Sequence, residues 1–154
     1  MSKSRLGAMA ALMLVSAVAG AEVRVQGPVE YGVFQTRHQD FQPGERVLTQ
    51  TSQTLEHTDR VPARLGSKFG LRYQLSGKQA GEQPLTLLYL TPGVVTPDGQ
   101  RHDKFVVTQA LSAAGQPDLM AFEFSEPHEV VPGEWHFMVF QGDRKLLEQR
   151  FQVR

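Results

Sequence analysis

The sequence predicts an all-β domain, a sandwich or barrel of about seven to eight short strands, behind a helical N-terminal export segment. Three observations carry this prediction. Apolar and polar residues alternate with period two from Val29 to the end. Turn residues break that alternation about every ten residues. No stretch after Ala21 carries apolar residues at helical spacing between caps.

The first segment, Met1 to Ala21, reads as a signal peptide. Lys3 and Arg5 give the positive start, and Leu6 to Val18 the apolar run. Ala19-Gly20-Ala21 places small residues where a signal peptidase reads, with the cut before Glu22; Ala17-Val18-Ala19 is a second site. The run is short of the roughly 20 residues that span a bilayer, and Glu22 and Arg24 follow at once. Residues 1–21 are thus expected to be removed, and residues 22–154 to form one domain in the periplasm or outside the cell.

The strands follow in order. Val29 to Thr36 is irregular, and Phe41 to Arg46, with Pro43-Gly44, reads as a loop. Val47 to Arg60 is rich in Thr and Gln and suits an edge. Phe69, Leu71, Tyr73 and Leu75 share one face of the next strand. Leu85, Leu87 and Tyr89 alternate with Thr86 and Leu88, and Lys104 to Leu111 is a second irregular strand. Met120, Phe122 and Phe124 share a face, as do Trp135, Phe137 and Val139. Leu147, Phe151 and Val153 hold the last inner face, although Gln149 breaks it. Ser76-Gly77, Pro92-Gly93, Pro97-Asp98-Gly99 and Pro132-Gly133 punctuate these runs, and Gln141-Gly142-Asp143-Arg144 predicts a final hairpin.

Composition narrows the function classes. The chain has 154 residues, 16 basic and 16 acidic, and no Cys. Cleavage after Ala21 removes Lys3 and Arg5, leaving 14 basic against 16 acidic side chains. That balance argues against nucleic acid or anionic lipid as the main partner. Without Cys there is no disulfide, no thiolate nucleophile, no Cys-based zinc site and no lipid anchor on Cys. The domain must rest on its core, for which about 130 residues suffice.

No catalytic motif stands out. Gly66-Ser67-Lys68-Phe69-Gly70 is the nearest to a nucleophile elbow and lacks the spacing; it reads as a turn into a strand. His38, His57, His102, His128 and His136 form no metalloprotease pair, and Asp98 has no further carboxylates at calcium-loop spacing. His136 and Met138, two apart on a strand, offer an imidazole and a thioether suited to copper. Met120 is the one other Met after Ala21, and its position predicts that it packs inward. Trp135 reads as core, which leaves Tyr31, Phe34 and Phe41 as the only candidates for a sugar platform.

From Val29 to Val153 the chain resembles an exported bacterial family, domain of unknown function 3859. The residues that carry the likeness are Glu30-Tyr31-Gly32, Val61-Pro62-Ala63-Arg64-Leu65-Gly66 with Phe69-Gly70, Val131-Pro132-Gly133-Glu134-Trp135, and Leu147-Glu148-Gln149-Arg150-Phe151. The resemblance implies an extracytoplasmic, immunoglobulin-like β-sandwich. It brings no activity and no site residues.

The expected function is therefore a non-catalytic binding or accessory module for a protein or cell-envelope partner, without cofactor. No catalytic, cofactor-binding or metal residue is assigned. The alternatives are copper handling through His136 and Met138, and a small hydrolase whose polar residues meet only in three dimensions. An edge at Leu48 to Thr58 is the expected docking surface, because Leu48 and Leu55 are seven apart and cannot share a strand face.

Overall fold

The computed structural model describes residues 22–35, 54–79 and 81–154. The expected signal peptide, the loop at Phe41 to Arg46 and the segment Leu48 to Gln53 lie outside them. Among the described residues nine strands stack as two sheets. Sheet A holds β1 (Arg24–Gln35), β2 (Thr54–His57), β4 (Lys68–Ser76) and β7 (Asp118–Glu123), in the order β2-β1-β4-β7. Sheet B holds β3 (Arg60–Val61), β5 (Leu85–Val95), β6 (Arg101–Gln109), β8 (Gly133–Gln141) and β9 (Arg144–Val153), in the order β3-β9-β8-β5-β6. All pairings are antiparallel except β3 with β9.

The period-two pattern does what it predicts. Phe69, Leu71, Tyr73 and Leu75 turn in from sheet A, and Leu85, Leu87, Tyr89, Trp135, Phe137, Val139, Phe151 and Val153 meet them from sheet B. Phe69 sits at the centre, with the rings of Phe124, Trp135, Phe137 and Phe151 between 5.2 and 5.8 Å away. Met120 packs inward as its alternation requires. The final hairpin forms at Gln141–Arg144. The polar segment expected as one edge strand from Val47 to Arg60 is divided: Thr54–His57 is the outer strand of sheet A among the described residues, and Arg60 begins β3 in sheet B.

One expected break is a bend instead. β5 continues through Pro92-Gly93, with its register to β6 shifting between Leu90 and Val94. Proline has no N–H for the ladder. The Thr91 hydroxyl substitutes, accepting from the Gly93 N–H at 3.0 Å and donating to the His102 carbonyl at 2.7 Å.

The residues that carry the family likeness stitch the sheets together. Val61 is buried and pairs with Val153, and the Ala63 N–H donates to the Arg154 carbonyl at 3.0 Å. The Ser67 hydroxyl donates to the Pro62 carbonyl at 2.8 Å, and Gly66 and Ser67 exchange backbone hydrogen bonds with Phe124. Gly32 and Gly70 face each other across β1 and β4. A Cβ on Gly70 would overlap the Met120 carbonyl oxygen, and one on Gly32 the Glu56 carbonyl oxygen. Only glycine lets the neighbouring backbones approach this closely. Gly70→Ala is therefore expected to cost roughly 1–3 kcal/mol, the range for overpacking. Urea denaturation measures it, and an unchanged midpoint would contradict this packing.

Candidate functional site

The residues singled out from the sequence are dispersed. Ser67 is buried and spends its hydroxyl on the Pro62 carbonyl, so it is part of the turn. His57 lies on β2 with its ring 4.2 Å from that of Tyr31, and His102 stacks on Phe105. His128 lies in a 3-10 turn, Pro127–Glu129, where the Glu129 carboxylate accepts from the Ser125 and Glu126 N–H groups. Asp98 closes the β5–β6 turn through Thr96 and the Gln100 N–H. Phe34 is buried, with the Lys68 ammonium 5.5 Å from its ring. His38 and Phe41 lie outside the described residues.

His136 and Met138 do share a face, the outer one of sheet B. His136 Nε2 lies 2.7 Å from Glu148 Oε2, and Lys145 and then His136 hold that carboxyl below the usual range. Met120 is on the inner face of the other sheet, so the thioethers cannot converge on one ion. Among the described residues no group of three His, Cys, Asp or Glu side chains gathers as a metal site.

A polar cluster that the sequence does not reveal lies at one end of the sandwich. The Lys78 ammonium and the Asp118 carboxylate are both buried and 2.7 Å apart. Lys78 also donates to the Ser112 hydroxyl at 2.6 Å and to the Gln116 carbonyl at 2.8 Å, and the Ser112 N–H donates to Asp118 at 3.0 Å. A cleft of about 650 Å³ opens beside them, lined by Lys78, Glu82, Pro84, Leu111 and Ser112 among others. A serine beside a lysine is the pairing of Ser–Lys hydrolases, where the amine must be free to take a proton. Here the Lys78 ammonium donates to Ser112, Ala113 and Gln116 and is ion-paired with Asp118. The cluster instead ties the loop after β6 to the start of β7. Tyr73, opposite Asp118 on β4, keeps its hydroxyl buried without a hydrogen-bond partner. Burial, then the Asp118 carboxylate, raises the pKa of that hydroxyl, and burial pushes that of Tyr89 up to about 12.

On sheet A the outward positions of β4 are Lys68, Gly70, Arg72, Gln74 and Ser76, and Arg72 forms an ion pair with Glu30 at 2.7 Å. On the same outer face, Phe34, Leu55 and Leu119 lie in the rows of Lys68 and Arg72. On sheet B the register aligns Val106, Leu88 and Met138 in one row across β6, β5 and β8. Phe140 flanks this row in the Thr86 row, and Leu90 flanks it in the Lys104 row. These five apolar side chains stand outside the core cluster. Thr86, Thr108, Lys104, His136, Glu148, Arg150 and Lys145 surround them. The rim charges are largely neutralised within the chain, by Lys145–Glu148 at 2.9 Å and Arg150–Glu134 at 2.6 Å. An apolar centre inside a polar rim is the anatomy of a protein-binding surface. Val106 and Val107 are 57% and 45% exposed, so the apolar surface reaches the free edge of β6.

Comparison with known proteins agrees with the architecture. A family model described as a domain of unknown function, DUF3859, matches residues 22–153. The chain is 60% identical to an immunoglobulin-like protein from Pseudomonas aeruginosa of known crystal structure, over 88% of this chain and 99% of that one, with a TM-score of 0.76. The sandwich is thus immunoglobulin-like. An alkylpurine DNA glycosylase from Pseudomonas fluorescens, bound to DNA containing an abasic-site analogue, gives 17% identity and a TM-score of 0.44 over 88% of this chain and 31% of that one. No curated protein matches the chain.

Proposed function

The chain belongs to the DUF3859 family, and from that premise we propose that it is an exported, non-catalytic binding module. It recognises a protein partner of the cell envelope through the outer face of sheet B. The observation that carries this reading is the apolar group Val106, Leu88, Leu90, Met138 and Phe140 inside its polar rim. Outward positions of a two-layer sandwich ordinarily carry polar residues, as Lys68, Arg72, Gln74 and Ser76 do on β4. Apolar residues contribute nothing to the core from there, so a partner that buries them supports their presence. The full engagement of Lys78 favours a structural role for its contact with Ser112, and hence the non-catalytic reading.

A photo-reactive side chain tests the surface. Placed at Met138 it should yield an adduct with one envelope protein; placed at Gln74, on the outer face of sheet A, it should not. Met138→Glu should abolish capture of that protein while leaving the melting temperature nearly unchanged. Equal labelling from both faces, or capture unaffected by Met138→Glu, would overturn the proposal. Export is tested by mass spectrometry of the secreted or periplasmic protein, which should begin at Glu22; retention of Met1 would refute it.

A further inference from the structure

We infer that two copies of this chain pair edge to edge through β6, antiparallel and centred on Val106. Among the described residues four strands end the sheets: β2 with four residues described, β3 with two, β7 with six and β6 with nine. Natural edges are protected by shortness, proline, bulges or charges. β6 lacks these defences where it matters. Phe105-Val106-Val107-Thr108 holds no charge, Pro or Gly, and the register shift against β5 falls before Lys104. Among the described residues no strand pairs with the outer side of β6, which there presents backbone N–H and C=O groups beside two exposed valines.

The sequence of β6 selects a second copy as the occupant and fixes the register. A two-fold axis normal to the sheet pairs residues of equal parity, so that inner faces meet inner and outer meet outer. Centring on Lys104 would set two ammonium groups against each other. Centring on Phe105 would set Lys104 against the partner's Val106 and Asp103 against the partner's Val107. Centring on Val106 sets Val106 against the partner's Val106, Phe105 against the partner's Val107, Lys104 against the partner's Thr108 and Asp103 against the partner's Gln109. That register alone covers both exposed valines with apolar neighbours and leaves no charge opposite a like charge. It joins two five-stranded sheets into one of ten, and the row Met138–Leu88–Val106 continues across the axis into its copy. Pairing in this way leaves the outer face free, so the inference does not rest on the proposed function.

The absence of Cys makes the test direct. Directly opposed Cβ atoms lie about 4.5–5.5 Å apart, close enough for a disulfide after a small adjustment. In protein purified from cells expressing the full chain, Val106→Cys alone should give a disulfide-linked dimer on mild oxidation. Thr108→Cys alone should not, since the two copies of residue 108 lie about 14 Å apart along the strands. An equimolar mixture of Lys104→Cys and Thr108→Cys should cross-link. Sedimentation equilibrium should show a dimer for the parent protein at up to about 100 μM, a range that populates even a micromolar dimer. Val106→Lys, which opposes two ammonium groups on an exposed site, should be a folded monomer. A monomeric parent, or cross-linking of Val106→Cys no faster than that of Thr108→Cys, would overturn the pairing. A parent monomer that still labels its partner from Met138 would overturn the dimer alone; loss of that label as well would remove both readings.

Discussion

Trp135→Ala is expected to destabilise the domain by about 3–5 kcal/mol, the range for deleting a buried aromatic side chain. Trp135 has no exposed surface. Its ring lies 5.0 Å from that of Phe122, 5.5 Å from Phe124 and 5.8 Å from Phe69. The indole N–H donates to the Val131 carbonyl at 2.9 Å, tying the approach of β8 to its first inward residue. Alanine leaves a cavity between the sheets and deprives that carbonyl of its donor. A domain of this size has roughly 5–15 kcal/mol in total, so much of its stability would go. Equilibrium denaturation measures the loss, and a melting temperature equal to the parent's would contradict the burial. Trp135→Phe keeps much of the volume and should cost clearly less.

Lys78→Met is expected to cost about 3–5 kcal/mol, because it leaves a buried carboxylate without its cation. Asp118 would keep the Ser112 N–H but lose the ammonium at 2.7 Å. The loop from Ala110 to Pro117 would also lose the bonds from Lys78 to Ser112 and Gln116, so its amides should exchange faster. The double variant Lys78→Met with Asp118→Leu should recover most of the stability, since removing both charges removes the desolvation cost as well. A single variant that costs less than about 1 kcal/mol would place the pair in the class of solvent-screened ion pairs.

Much of the fold is legible in the sequence because burial in a sandwich is a local, period-two property. Phe69 to Leu75, Leu85 to Tyr89 and Trp135 to Val139 each name their inner face without reference to any other strand. The Gln141–Arg144 hairpin is equally local. Pro92-Gly93 misleads because a proline–glycine pair serves a bulge as well as a turn, and only the Thr91 hydroxyl and the β6 register distinguish them. Lys78 and Asp118 stay hidden for a different reason. Asp118 shares the inward parity of Met120 on β7, but its cation is 40 positions away and follows a turn.

The outer face of sheet B marks the same boundary. Leu88 and Met138 are visibly apolar at outward positions of their own strands. Whether they stand side by side depends on which strands are neighbours and in what register, and period two leaves both undetermined. The sequence by itself determined an all-β chain, the inward residues of its strands and the final hairpin. The tertiary structure decided that β5 lies between β6 and β8, that Val106, Leu88 and Met138 form one row, and that β6 is left as an edge. Alternation is set by the backbone within a strand. Adjacency is set by how two whole sheets close over Phe69 and Trp135, and no local pattern encodes that choice.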